Sequence, residues 1–368
     1  MKSKNSIKVL FIVPYPKDCA PSQRLKFEQY YSYFEKEGIE CILRPFMTES
    51  FYRIVYQKNK YLEKIIFTLL GYVRRCFHMI EAMRCDVIYL HLEAAPFGPP
   101  FFEYILYKLK KPIIYDIDDI VYLPHASKAN SFVRMLKYYK KTPQIVKFSS
   151  QVIAVTNYLK RFAEQYGRKA ICIPPTIDTN KYFLADKPCG RKLCIGWTGS
   201  HSTSEYLLIL ANTLKKINQE HDVRIKVMGD GNFKIDGLAI EAKEWSADTE
   251  IKDIQEIDIG LYPLPKNEWI MGKGGLKALQ YMGMGIPVVA TRVGAVLDFI
   301  QDGVNGFLVD SEEEWIEKIS RLIEDADLRR RVGLAARKTV EERFSVKANA
   351  PKMLGIIQGV YKDYFGEK

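Results

Sequence analysis

The stretch MGKGGLKALQYMGMGIPVVAT, Met271 to Thr291, decides how the chain is read. Gly272, Gly274 and Gly275 form a glycine-rich turn, Gly275 to Met284 has the length and pattern of a short helix, and Pro287 to Ala290 is an apolar strand. A turn, a helix and a buried strand in that order belong to a parallel sheet with helices on its faces. The glycines let backbone N–H groups come close to a ligand, and the helix starting near Gly275 aims its positive end at the same place. The expected ligand is an anion. Lys273, Lys277 and Gln280 stand at i, i+4 and i+7, which on one helix face would bring two ammonium groups and an amide onto a diphosphate and its ribose. The competing reading is a helix packed by Leu276 and Leu279, with both lysines in water.

Outward from this segment, strands and helices alternate. Strands are expected at Leu193 to Trp197, Arg224 to Met228, Ile257 to Tyr262 and Gly306 to Val309, with a helix over Ser204 to Asn218. The first half repeats the theme: strands at Ile7 to Val13, Cys41 to Leu43, Asp86 to Leu92, Ile113 to Asp116 and Gln151 to Thr156, with a helix over Ser22 to Lys36. Pro174-Pro175 interrupts the pattern, and Asp178 to Pro188 reads as a linker. The expected organisation is α/β, with two Rossmann-like doubly wound domains, residues 1–178 and 179–351, facing across a cleft; helix 352–368 is expected to pack back on the first. At 368 residues the chain exceeds what one core usually organises. Ligands of open α/β sheets bind beyond the carboxyl ends of the strands.

The net charge of +11 lies entirely in the first half. Phe51 to Arg75 and Arg134 to Lys147 mix Lys and Arg with Tyr, Phe and Leu, as basic helices on an anionic membrane surface do. A solvated helix face is the alternative. No nucleic-acid reading module is present, so no nucleic acid is expected as a partner. The N-terminal apolar run before Pro14 is too short for a signal peptide, and Ile65 to Val73 too short to span a bilayer. Seven cysteines without C-x-x-C or zinc-ligand spacing are expected to be reduced and mostly buried. A cytoplasmic protein, peripheral on the inner membrane face, is the expectation.

Other segments carry candidate chemistry. IGWTGSHST sets Gly196, Thr198, Gly199, Ser200 and His201 at a strand end, where loop N–H groups suit phosphate, or where Ser and Thr simply cap the next helix. There is no Arg or Lys between Lys192 and Lys215, so Lys273 and Lys277 must supply positive charge. IKVMGDG closes a strand with Gly229 and Gly231 around Asp230. YDIDD puts Asp116, Asp118 and Asp119 at a strand end, three carboxylates suited to Mg²⁺, to proton handling or to helix capping. Arg24, in the first loop, is a candidate for a phosphate, or a surface arginine. His91 and His125 are the histidines nearest these strand ends.

In order along the chain, KVLFIVPYP with SQRLKFEQ, PIIYDIDD, VIAVTNYLK, CIPPTIDTNKY, IGWTGSHST, IKVMGDG, DIGLYPLP, GKGGLKALQYMGMGIPVV and VGAVLDFIQDGVNGFLV resemble glycosyltransferase family four, retaining enzymes of the GT-B fold. The resemblance covers most of the chain. It implies a nucleotide-sugar donor, UDP- or GDP-linked, held by Gly199, Ser200, His201, Gly229, Gly231, Gly274, Gly275, Leu276 and Gln280. It implies a glycan or polyprenyl-diphosphate-linked acceptor met by Arg24 and Asp116, catalytic parts for Asp118, Asp119, Lys273 and Lys277, and no metal or other cofactor. The family's two glutamates, with seven residues between them, align with Gly272 and Gln280, a GKxGxKxxQYM variant of that motif. Gln280 keeps an oxygen that accepts from a ribose hydroxyl. At the first position either Glu268 moves in or the Gly275 and Leu276 amides hold the sugar. The expected function is hexosyl transfer with retention in cell-surface polysaccharide biosynthesis. The alternatives are a catalytically silent sugar-nucleotide-binding partner in a glycan-assembly complex and a dinucleotide oxidoreductase, the last weakened because no G-x-G-x-x-G follows the first strand.

Overall fold

A computed structural model describes residues 6–55, 57, 59–123, 138–184, 187 and 190–366. They fall into two compact units, Met1–Pro175 with Asn349–Lys368, and Thr176–Ala348. In the first unit β1 (Ile7–Val13), β2 (Ile39–Pro45), β3 (Val87–His91), β4 (Ile113–Ile117), β5 (Gln151–Ala154) and β6 (Ala170–Cys172) form one parallel sheet in the order β2-β1-β3-β4-β5-β6. Val9 to Val13 are wholly buried, as a strand covered on both faces must be, and that is why its sequence is a continuous apolar run.

The second unit holds β7 (Leu193–Thr198), β8 (Val223–Met228), β9 (Glu241–Lys243), β10 (Ile259–Tyr262), β11 (Val288–Thr291) and β12 (Phe307–Val309), again all parallel, in the order β12-β11-β10-β7-β8-β9. Ile195, Trp197, Leu214, Val227, Ile259 and Val289 are among the side chains of its core. In each sheet the chain builds outward on one side and then returns to the other. The strand order therefore reverses between β1 and β3 and between β7 and β10, the places where open α/β sheets take ligands.

Three expectations need correction. The helix over Ser22 to Lys36 is broken into Pro21–Arg24, a 3-10 turn at Glu28–Tyr30 and Tyr31–Lys36. Buried polar side chains explain the break: Gln23 exchanges hydrogen bonds with the Tyr15 backbone and donates to Glu28, and Glu28 accepts the Asp18 N–H. The helix over Ser204 to Asn218 begins as a 3-10 segment, Ser204–Leu210, before Ala211–Glu220. Of the six described cysteines, all free, only Cys85 and Cys194 are buried. The edge strands β6 and β9, three residues each, were not expected.

The basic segments are also different in structure. Phe51 to Arg75 is divided between the helices Glu49–Val55 and Tyr61–Ala82, and Arg75 is fully buried, donating to the carbonyls of Val13, Arg44 and Ala94. In the second segment Arg134 to Lys137 lie outside the described residues, as does His125, and Lys141 is buried with its ammonium on the Ala95 carbonyl. No helix among the described residues is long and apolar enough to cross a membrane.

Candidate functional site

At its carboxyl end β7 leaves the sheet through Thr198 and Gly199, and the chain turns at Ser200 to Thr203. The Thr198 N–H donates to the Tyr281 hydroxyl at 2.6 Å, and the Gly199 N–H to the Met228 carbonyl at 2.9 Å. Tyr281 belongs to the helix Leu276–Gly283, so this bond ties that helix to the strand end. One turn earlier, Lys277 sets its Nζ 2.9 Å from the Thr203 hydroxyl and 4.3 Å from the centre of the Trp197 ring. Burial, and then the charge of Lys273, push the Lys277 ammonium down to about 7. An ammonium held this way gains from any anion placed beside it.

The helix Leu276–Gly283 begins at Gly275, which has φ 75°, and no side chain caps it. A Cβ at Gly275 would sit 2.8 Å from the Phe299 ring, so only glycine fits both the conformation and the space. Gly275 offers no capping side chain to the first N–H groups of the helix, which lie next to Lys277. Lys273 precedes the helix, which corrects the expectation that Lys273, Lys277 and Gln280 share a helical face. Its ammonium lies 4.9 Å from the Trp269 ring centre. Gln280 is buried and donates through Nε2 to the Tyr182 hydroxyl and to Glu250 Oε1, both at 3.1 Å. Gly274 and Leu276 are half-buried on either side of Gly275; Gly272 ends the four-residue helix Glu268–Met271, and Glu268 is exposed.

Beside this loop lies the turn after β8. Gly229 has φ 99°, and a Cβ there would meet the Gly199 carbonyl oxygen at 1.7 Å. Asp230 accepts from the Ser204 hydroxyl at 2.6 Å and lies 3.2 Å from Nδ1 of the exposed His201. Burial acts to raise the Asp230 carboxyl, but the bonds from Ser204, His201 and the Asn232 N–H hold it below its usual range. The Gly231 N–H donates to the Glu244 carboxylate, and Ser200 bonds Ser202 and Thr203. Thus Gly199, Ser200, His201, Gly229, Gly231, Gly275 and Lys277 come together at the β7 end, the point where the strand order reverses.

In the first unit the buried Lys26 ammonium bridges Asp116 and Asp118, the latter at 3.1 Å. His91, at the end of β3, brings Nδ1 to 2.7 Å from the other Asp116 oxygen. Burial opposes the Asp116 charge, yet Lys26 and His91 hold its carboxyl below the usual range; burial pushes Asp118 up. Asp116 is fully buried, with one oxygen on Lys26 and the other on His91, so it fixes those two side chains. Lys26 is thus the cation between two of the YDIDD carboxylates. No cluster of His, Cys, Asp and Glu able to hold a metal occurs among the described residues. Asp119 accepts the Ile120 N–H, and Arg24 is half-buried at the end of the Pro21–Arg24 helix. Sequence reasoning missed Lys26, Trp197, Tyr182, Tyr281 and Glu250. All but Glu250 lie in segments already singled out, and nothing local marked any of them.

Residues 192–325 match the family model described as Glycosyl transferases group 1. A sucrose synthase of Melioribacter roseus is 40% identical over 88 residues, 22% of this chain and 11% of that protein. The chain spans well under half the length of the curated relatives that it matches first. Among solved structures, a glycosyltransferase from Rickettsia africae aligns with 98% of this chain and 100% of its own at a TM-score of 0.70 and 17% identity. Anabaena HepE in complex with UDP-glucose aligns with 96% of this chain and 99% of its own at a TM-score of 0.66 and 17% identity. Over residues 192–325 this chain is thus similar to the group 1 glycosyltransferases, and over nearly its whole length it has the two-domain α/β GT-B fold of the solved glycosyltransferases it resembles.

Proposed function

We propose that the protein is a retaining glycosyltransferase that moves a sugar from a nucleotide-diphosphate donor to the hydroxyl of a glycan or a polyprenyl-diphosphate-linked acceptor at the inner membrane face, in cell-surface polysaccharide biosynthesis. The observation that carries the reading is the Lys277 ammonium, held between the Trp197 ring and the Thr203 hydroxyl beside an uncapped helix start. A diphosphate seated there has its charge met by Lys277, by the Gly275–Leu276 helix start and by the Gly199 to Thr203 loop. As the bond to the sugar breaks, negative charge grows on the leaving diphosphate, and donors already in place stabilise it without reorganising. The leaving oxygen takes the acceptor proton. The reading assigns no metal or other cofactor. A UDP-glucose complex of a protein with this fold supports a UDP-type donor.

Gly272, standing where the family's first glutamate is expected, favours one second reading, a sugar-nucleotide-binding partner without turnover. Calorimetric titration with UDP- and GDP-sugars, for wild type and Lys277→Ala, tests the site. Binding that is absent, or that survives the substitution, overturns it. Release of free sugar or transfer to an acceptor then separates an enzyme from a silent partner.

A further inference from the structure

The helix Tyr61–Ala82 is turned inside out. Its buried positions are Gly71, Arg75, Met79 and Ala82, and its charged residues Glu63, Lys64, Arg74 and Glu81 are only half-exposed. Two of those charges bond inward, Arg74 to the Phe46 carbonyl and Glu81 to Arg44, and Lys64 bonds the Gln57 carbonyl at the surface. Every fully exposed position of the helix carries an uncharged side chain, chiefly Leu62, Ile66, Leu69, Val73, Phe77 and Ile80, with Leu62 68% and Phe77 65% exposed. The stripe runs the length of the helix, roughly 30 Å at 1.5 Å per residue. Apolar surface this continuous marks a site of association.

We infer that this face lies in the headgroup and acyl boundary of an anionic phospholipid leaflet, as a membrane-surface anchor that does not cross it. Charge and aromatic placement point to lipid. Exposed Lys60 and Arg84 flank the stripe, and the adjoining helix Phe101–Lys108 adds exposed Phe101, Tyr104 and Tyr107, followed by Lys108 and Lys110. An apolar band edged by tyrosine and basic residues matches the boundary of an anionic bilayer. A second copy fits worse, because a twofold contact along the stripe sets these basic edges against each other. The inference deepens the membrane placement proposed above and rests on none of the transfer chemistry.

The test is flotation of the full chain with phosphatidylcholine vesicles, with and without phosphatidylglycerol. Wild type is expected to float with the anionic vesicles, and Leu69→Glu/Val73→Glu/Phe77→Glu to lose about tenfold or more in partitioning with an unchanged thermal transition. Phe77→Trp is expected to shift its emission to the blue on binding and to be quenched by lipids brominated in the acyl chain. Failure of wild type to float, equal flotation of the triple variant, or a triple variant that changes only the oligomeric mass each overturns the inference. UDP-sugar binding measured without lipid is unaffected by these outcomes, so the two readings fail separately.

Discussion

Gln280 and Glu250 share a buried hydrogen bond, the amide Nε2 donating to Oε1 across 3.1 Å, while the same nitrogen donates to the Tyr182 hydroxyl. Each residue is only 5% exposed. An amide suits the position because it supplies two N–H donors to two oxygen acceptors. A carboxylate at 280 would instead face the Glu250 carboxylate in a site with little water. Gln280→Glu, the change toward the glutamate usual at the aligned family position, is therefore expected to cost about 2 kcal/mol or more. The exchange variant Glu250→Gln/Gln280→Glu is expected to recover most of it. Chemical denaturation of the three proteins decides: a single variant as stable as wild type sinks the argument.

Lys277 should make nucleotide binding depend on pH. With its ammonium pushed down to about 7 by burial and Lys273, the folded chain releases a proton that the unfolded chain keeps to about pH 10.4. Through that window the unfolded state binds more protons, so this residue's contribution to stability rises with pH. Affinity for a diphosphate runs the other way, because the neutral amine offers no charge. Calorimetric affinity for UDP is expected to fall by up to about tenfold per unit above pH 7, until the raised pKa of the complex is reached. Lys277→Arg should flatten the profile. A wild-type profile already flat would remove Lys277 from the site.

How far sequence reaches can be judged from particular residues. Val9 to Val13 and Val288 to Ala290 are legible because strands buried on both faces must be apolar throughout, and one lies inside each sheet. β6 and β9 are edge strands of three residues, and Glu241-Ala242-Lys243 has no apolar pattern to find. Lys273 was set on a helix face because the 3.6-residue period was carried through a turn, whereas the positive φ at Gly275 starts the helix later. Lys26 was hidden for a different reason: its partners are 90 and 92 residues away, and no local pattern reports a contact of that range. Periodicity in Tyr61–Ala82 was visible, but it does not say which face the protein covers.

Gly229 tests the loop geometry without touching a charge. Its φ of 99° disfavours any side chain, and a Cβ would collide with the Gly199 carbonyl oxygen, a backbone atom with no rotamer to yield. Gly229→Ala is expected to destabilise by roughly 1–3 kcal/mol and to displace the Gly199 to Thr203 turn. Nucleotide affinity should then fall more than affinity at Lys277→Arg, where the turn is intact. Equal affinity for wild type and Gly229→Ala would show that the turn takes no part in binding.

Lys26 and Asp116 give the sharpest separation between structural and surface roles. Burial raises the cost of the Asp116 charge, and Lys26 with His91 offsets that cost, leaving the carboxyl below its usual range. Its share of stability is present above the unfolded pKa of about 3.9 and is lost as pH falls through the lower folded value. Lys26→Met leaves the carboxylate buried beside His91 without its ammonium partner, at an expected cost of about 3–5 kcal/mol near pH 7. In that variant the sign reverses: the folded Asp116 pKa rises above the unfolded one, so stability should increase as pH falls toward 5. Adding Asp116→Asn removes the stranded charge, and the double variant should lose less than the two single changes together. Urea midpoints at pH 7 and pH 5 for the four proteins measure all of this. Additive losses without reversal would mean that Lys26 and Asp116 act independently, contrary to their contact.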